Sequence, residues 1–108
     1  MTVNELIHKT NLKAVTLPDG EREITGVYIG DLLSWVMGRA QADQAWITIM
    51  SNNNIVAVAT LADTACIILA EGVMPDDGVE TLANAKGINI LVSERSAYET
   101  ALLLAESL

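Results

Sequence analysis

The sequence predicts an α/β fold: a small three-layer domain with a mainly parallel sheet, right-handed βαβ crossovers and an N-terminal β-hairpin. Three observations carry this expectation. From Trp46 onward, short apolar runs alternate with helical periodicities, strand then helix, three times over. Such alternation builds a parallel sheet with helical crossovers. The runs Trp46–Met50, Ala65–Ala70 and Ile88–Val92 are apolar almost throughout, as strands covered on both faces are. Ahead of them, two short strand-like runs flank Pro18-Asp19-Gly20, where proline fixes φ and Asp-Gly suits a positive φ.

Taken in order, Thr2–His8 reads as a short helix, with Val3, Leu6 and Ile7 at helical spacing and Thr2 with Glu5 matching a capping box. Lys13–Leu17 is a strand with Val15 and Leu17 on one face. Ile24–Ile29 is its hairpin partner, bulged at Gly26. Asp31 caps a helix over Leu32–Ala40 whose apolar seam is Leu32, Leu33, Val36, Met37 and Ala40, which leaves Trp35 off the seam. After Trp46–Met50 comes the polar break Ser51-Asn52-Asn53-Asn54, then a helix over Ile55–Asp63 that is apolar on nearly every side. Ala65–Ala70 is the expected central strand. Asp76–Lys86 is a helix with Val79, Leu82, Ala83 and Ala85 inward and Gly87 past its end. Ile88–Val92 is a strand, Ser93–Ser96 a polar loop, and Ala97–Leu108 the closing helix.

A chain of 108 residues is long enough to form one domain with its own core. We read residues 1–44 as a helix, hairpin and helix, and residues 45–108 as a βαβαβα unit. Phenylalanine is absent, so Ile, Leu, Val, Ala and Met must fill the interior. Six Lys and Arg stand against fourteen Asp and Glu, a net charge of −8. This balance excludes nucleic acid and anionic membranes as partners. The longest apolar stretch, Ile55–Ala70, contains Asp63 and is too short to span a bilayer. Met1–Asn11 is polar and carries no signal-peptide pattern. The single cysteine, Cys66, forms no internal disulfide. A cytoplasmic location is the expectation.

No catalytic constellation is present. The chain contains no G-x-x-x-x-G-K-[ST], G-x-G-x-x-G or G-x-S-x-G. His8 and Cys66 are too far apart in sequence to suggest a zinc site, and no metal or cofactor is implied. Open α/β sheets bind ligands beyond the carboxyl ends of their strands. The candidate ligand-binding residues are therefore Ser51, Asn52, Asn53, Asn54, Glu71, Gly72 and Arg95. For Ser51–Asn54 the alternative is helix capping. Glu71, Asp76 and Asp77 read as helix-start acids rather than a hard-cation site. Arg95, the one cation at this edge, could pair with Glu71 or meet an anion. The all-round apolar helix and the off-seam Trp35 and Leu103 suggest a second chain covering Trp35, Ile55, Val58, Ala59 and Leu103. The competing arrangement buries that helix within the domain.

Across roughly residues 24–106 the chain resembles the DRTGG domain family. The resemblance rests on Ile24-Thr25-Gly26, Asp31-Leu32-Leu33, the strand Ile47–Met50, Ile67-Ile68-Leu69 with Gly72 and Pro75, and the closing strand and helix. Family members carry Gly-Asp-Arg where this chain has Ser51-Asn52-Asn53, and Thr-Gly-Gly where it has Ala70-Glu71-Gly72. Relatives sit beside CBS domains in regulated pyrophosphatases and in some phosphotransacetylases. The N-terminal domain of HPr kinase/phosphorylase is similar in fold. The resemblance implies a regulatory module that dimerises and does not transfer phosphate. The expected function is a non-catalytic regulatory or interaction module, a homodimer acting on a partner protein. The alternative is a sensor of a nucleotide or metabolite at the carboxyl edge of the sheet.

Overall fold

A computed structural model describes all residues, Met1–Leu108. Five helices and five strands alternate along the chain: α1 (Val3–Thr10), β1 (Lys13–Thr16), β2 (Gly26–Ile29), α2 (Leu33–Arg39), β3 (Gln44–Thr48), α3 (Asn54–Ala62), β4 (Cys66–Leu69), α4 (Val79–Lys86), β5 (Ile90–Val92) and α5 (Ala97–Ser107). The strands form one sheet in the order β1-β5-β4-β3-β2. β2, β3, β4 and β5 run parallel, and β1 lies antiparallel to β5. The expected α/β fold with a mainly parallel sheet is present, and the Ala65–Ala70 run does supply its central strand, β4.

The expected N-terminal hairpin does not form. β1 and β2 lie at opposite edges of the sheet. The connection from Leu17 to Thr25 is too long for a tight hairpin turn, and it crosses the amino end of the sheet instead. There the backbone of Gly20 and Arg22 pairs with α1 through Asn4 N to Gly20 O (2.9 Å) and Val3 N to Arg22 O (3.0 Å). Gly26 is not bulged, since β2 pairs with β3 in continuous register from Gly26–Gln44 to Ile29–Ile47. The irregularity falls in β1 between Ala14 and Thr16. There the Thr16 hydroxyl donates to Ile88 O (2.7 Å) and accepts from Ile90 N (2.9 Å), replacing a ladder bond.

Helices cover both faces. On one side Val3 and Leu6 of α1 and Leu104 of α5 pack over Ala45, Ile47, Cys66, Ile68 and Leu91. On the other, Val36 of α2, Ile55, Val56, Val58 and Ala59 of α3, and Val79 and Ala83 of α4 pack over Trp46, Ile67, Leu69 and Ile90. Strand residues alternate between these layers, so every β4 side chain is buried on one face or the other. The apolar helix is explained by this layering. α3 packs on the sheet with α2 and α4 as neighbours, and the chain itself buries Ile55, Val58 and Ala59.

The Thr2–Glu5 capping box and the Gly87 end of α4 form as the sequence predicts, and the structure adds a second capping box, Ser96 with Glu99. Two other ends differ. Asp31 does not cap α2, whose N-cap is Leu32 with no side-chain bond. The Asp31 carboxylate instead accepts from the Thr48 hydroxyl (2.8 Å) and from Ile49 N (3.0 Å), tying the end of β2 to the end of β3. α4 starts at Val79 rather than Asp76, after Gly78 with φ of 88°. No helix is long and apolar enough to cross a membrane.

Candidate functional site

The parallel strands place the turns after β3, β4 and β5 side by side at the carboxyl edge. After β3, the Ser51–Asn54 run is largely engaged in building α3. The Asn52 Oδ1 accepts from Asn54 N (2.9 Å), and the Asn52 carbonyl accepts from Ile55 N (3.2 Å). Ser51 Oγ donates to Asp76 Oδ1 (2.8 Å), and Asp76 N donates back to Ser51 O (2.9 Å). The side chains of Asn53 and Asn54 are exposed.

After β4, two successive residues turn left-handed, Glu71 with φ of 62° and Gly72 with φ of 72°. Their N–H groups close onto the turn after β5, Glu71 N to Arg95 O (2.8 Å) and Gly72 N to Ser93 O (2.9 Å). A side chain at position 72 would also meet Glu94, since a Cβ there would sit 3.2 Å from Glu94 Oε2. Glu71 and Arg95 are thus joined through the backbone. They form no ion pair.

After β5, the Ser93 and Thr100 hydroxyls share a buried hydrogen bond of 2.8 Å, and Ser93 Oγ accepts from Arg95 N at 3.2 Å. With the Ser96 capping box these bonds fix the turn that presents Arg95. Because β1 is antiparallel to β5, Lys13 pairs with Val92, which brings a second cation to this end. A cleft of about 350 Å³ results, with Thr10, Lys13, Gly72, Glu94 and Arg95 among its lining residues. Of the sequence candidates, Gly72 and Arg95 meet in this cleft, while Ser51–Asn54 and Glu71 do not line it. Lys13 was missed because a hairpin would have put β1 beside β2. The length of the Leu17–Thr25 connection was the available signal against that pairing.

The candidate interface residues do not form one surface. Trp35 is 53% exposed on α2, with the Arg39 guanidinium stacked 3.8 Å from its ring centre. Leu103 is half-buried on α5, across the sheet, and helps wall the cleft. Ile55, Val58 and Ala59 present nothing to a partner, which corrects their expected role. Burial pushes the Cys66 thiol up to about 12, so it stays protonated and inert as a nucleophile at neutral pH. No three His, Cys, Asp or Glu side chains gather as metal ligands.

The chain is thus a small three-layer α/β/α domain whose carboxyl-edge turns after β4 and β5 are joined by backbone hydrogen bonds. More specifically, the chain belongs to the DRTGG domain family, whose model matches residues 8–107. In fold the chain is similar to the CBS and DRTGG domains of the regulatory region of Clostridium perfringens pyrophosphatase, a crystal structure in complex with the activator diadenosine tetraphosphate. The TM-score is 0.76 at 13% identity, covering 99% of this chain and 47% of that one. The chain therefore spans about half the length of that regulatory region. No curated protein matches it.

Proposed function

We propose that the chain is a non-catalytic, cytoplasmic regulatory module that forms a homodimer and acts on a partner protein. The observation that supports self-association is the set of exposed apolar side chains on the segments that end β2, follow β3 and open α2. Ile29 ends β2, Ile49 follows β3, and Leu32 and Trp35 open α2, all about half exposed or more. Asp31, bonded to Thr48 and Ile49, holds these segments together. Apolar surface left exposed on neighbouring segments is the kind that partner chains cover on small domains. Light scattering of the full chain tests the dimer. The expected result is a dimer mass for the native chain and a monomer mass for Leu32→Glu/Trp35→Glu. A native chain that stays monomeric at about 100 µM, where most specific dimers are fully formed, would sink self-association.

A second reading is a small-molecule sensor at the carboxyl edge. Its support is the fold-level likeness to a regulatory region crystallised with a nucleotide activator, together with the open cleft beside Gly72 and Arg95. Thermal melting against a panel of nucleotides and metabolites tests it, because a ligand that binds only the native state raises Tm by mass action. A panel without one shift near about 1 mM counts against sensing.

A further inference from the structure

We propose that the cleft between the β5–α5 turn and the start of β1 binds a small anion, a phosphate or carboxylate carried on an apolar body. The proposal rests on the sensing reading above and gives that reading a site and a ligand class. The charge distribution is its first argument. The chain has only six Lys and Arg among fourteen Asp and Glu, yet two of the six, Lys13 and Arg95, line one cleft. Neither is within ion-pair distance of a carboxylate. Arg22, by contrast, is paired twice. Two unpaired cations facing one concavity favour a charge-assisted contact with an anion.

The cleft is also built to hold its shape. The backbone bonds from Glu71 and Gly72 to the β5–α5 turn, the Ser93–Thr100 hydroxyl pair and the Ser96 capping box fix the turn that carries Arg95. Lys13 follows Asn11, which ends α1 in a left-handed conformation and donates its N–H to Ile7 O. Little ordering is then required when a ligand arrives.

The remaining lining defines the rest of the ligand. Leu12, Met74, Val92 and Leu103 give the cleft an apolar wall, which suits a ring or short chain attached to the anion. Glu94 lies beside Gly72 and forms no ion pair with either cation. It is free to accept from a hydroxyl or amine on the same molecule. At about 350 Å³ the cleft takes a single small molecule rather than a polymer.

The test follows backbone amide shifts of the full chain during titration with phenyl phosphate and, separately, benzoate, each against sodium chloride at matched ionic strength. We expect saturable shifts at Lys13, Gly72 and Ser93–Arg95, with half-saturation near about 1 mM. Lys13→Met should weaken binding about three- to tenfold, as loss of one partly screened charge contact does. Lys13→Met/Arg95→Met should abolish it with the melting curve unchanged, because both side chains are exposed. Tighter phenyl phosphate assigns a phosphate ligand, and tighter benzoate a carboxylate. Shifts that follow chloride up to about 10 mM, or that survive in the double variant, would overturn the site. If this site fails while another panel compound raises Tm, sensing stands and only the site is lost.

Discussion

Glu71 occupies a backbone conformation that side chains resist. Its φ is 62° and that of Gly72 is 72°, so the turn after the central strand needs two left-handed residues in succession. A glycine pair would meet this requirement without strain, whereas this chain has Glu71-Gly72. Glu71 takes the first position against a left-handed penalty of about 1 kcal/mol, held there by the bond from its N–H to Arg95 O. Glu71 beside Gly72 is plain in the sequence, but the cost of a side chain there follows only from φ. Replacing Glu71 by glycine should therefore raise stability by about 0.5–1 kcal/mol. Gly72→Ala should lower it by about 1–2 kcal/mol, through the same penalty plus the Glu94 contact. Urea unfolding of the two variants checks both signs, and a destabilised Glu71→Gly would contradict the account.

Individual elements were legible where local chemistry decides them. The Thr2–Glu5 capping box, the Gly87 end of α4 and the apolar strands β3, β4 and β5 follow from spacing and composition alone. Misread elements depend on distant partners. Asp31 resembles an N-cap, but its carboxylate is taken by Thr48 and Ile49 on the neighbouring strand. α3 resembles an interface helix because its sequence does not reveal that α2 and α4 flank it on the sheet; of its apolar side chains, Ala57 and Leu61 stay exposed while Ile55, Val56, Val58 and Ala59 are buried. The candidate site was half legible for the same reason. Gly72 and Arg95 close their own strands, whereas Lys13 arrives from the far end of the chain. The Ser96 box offers a test at this scale. Ser96→Ala removes the acceptor for Glu99 N and should destabilise the fold by about 1 kcal/mol. It should also speed amide exchange at Arg95, whose turn the cap anchors. Unchanged exchange there would show that the Ser93–Thr100 bond alone holds the turn.

At the scale of the whole molecule, the N-terminal segments enclose the parallel unit from two edges and both faces, with α1 on one side of the sheet and α2 on the other, so residues 1–44 are not a separable arm. β1 and β2 take opposite edges, and the chain between them must be fastened where it crosses the amino end. Arg22 is the fastener. Its Nε and Nη2 donate to Asp43 Oδ1 at 2.9 and 2.8 Å, and Nη2 reaches both the carbonyl and the carboxylate of Asp63 at 2.7 and 2.9 Å. Burial works against the charge, but the bonds to Asp43 and Asp63 outweigh it and hold the guanidinium pKa above its usual value. Both aspartates sit in left-handed turns, with φ of 68° and 59°, so one side chain joins the crossing segment, the entry to β3 and the exit of α3. Arg22→Met keeps the apolar stem and removes every one of these bonds. The group is only partly buried, so the loss should be about 1–2 kcal/mol, between the values for exposed and buried pairs. If the fastening is global, urea unfolding should remain a single transition at lower midpoint. Exchange should then accelerate at Ile67 and Ile68 in the central strand as well as at Val3 and Ile24. Acceleration confined to Val3 and Ile24 would mean that the N-terminal segments open on their own, and the two halves would then be coupled only through the sheet edges.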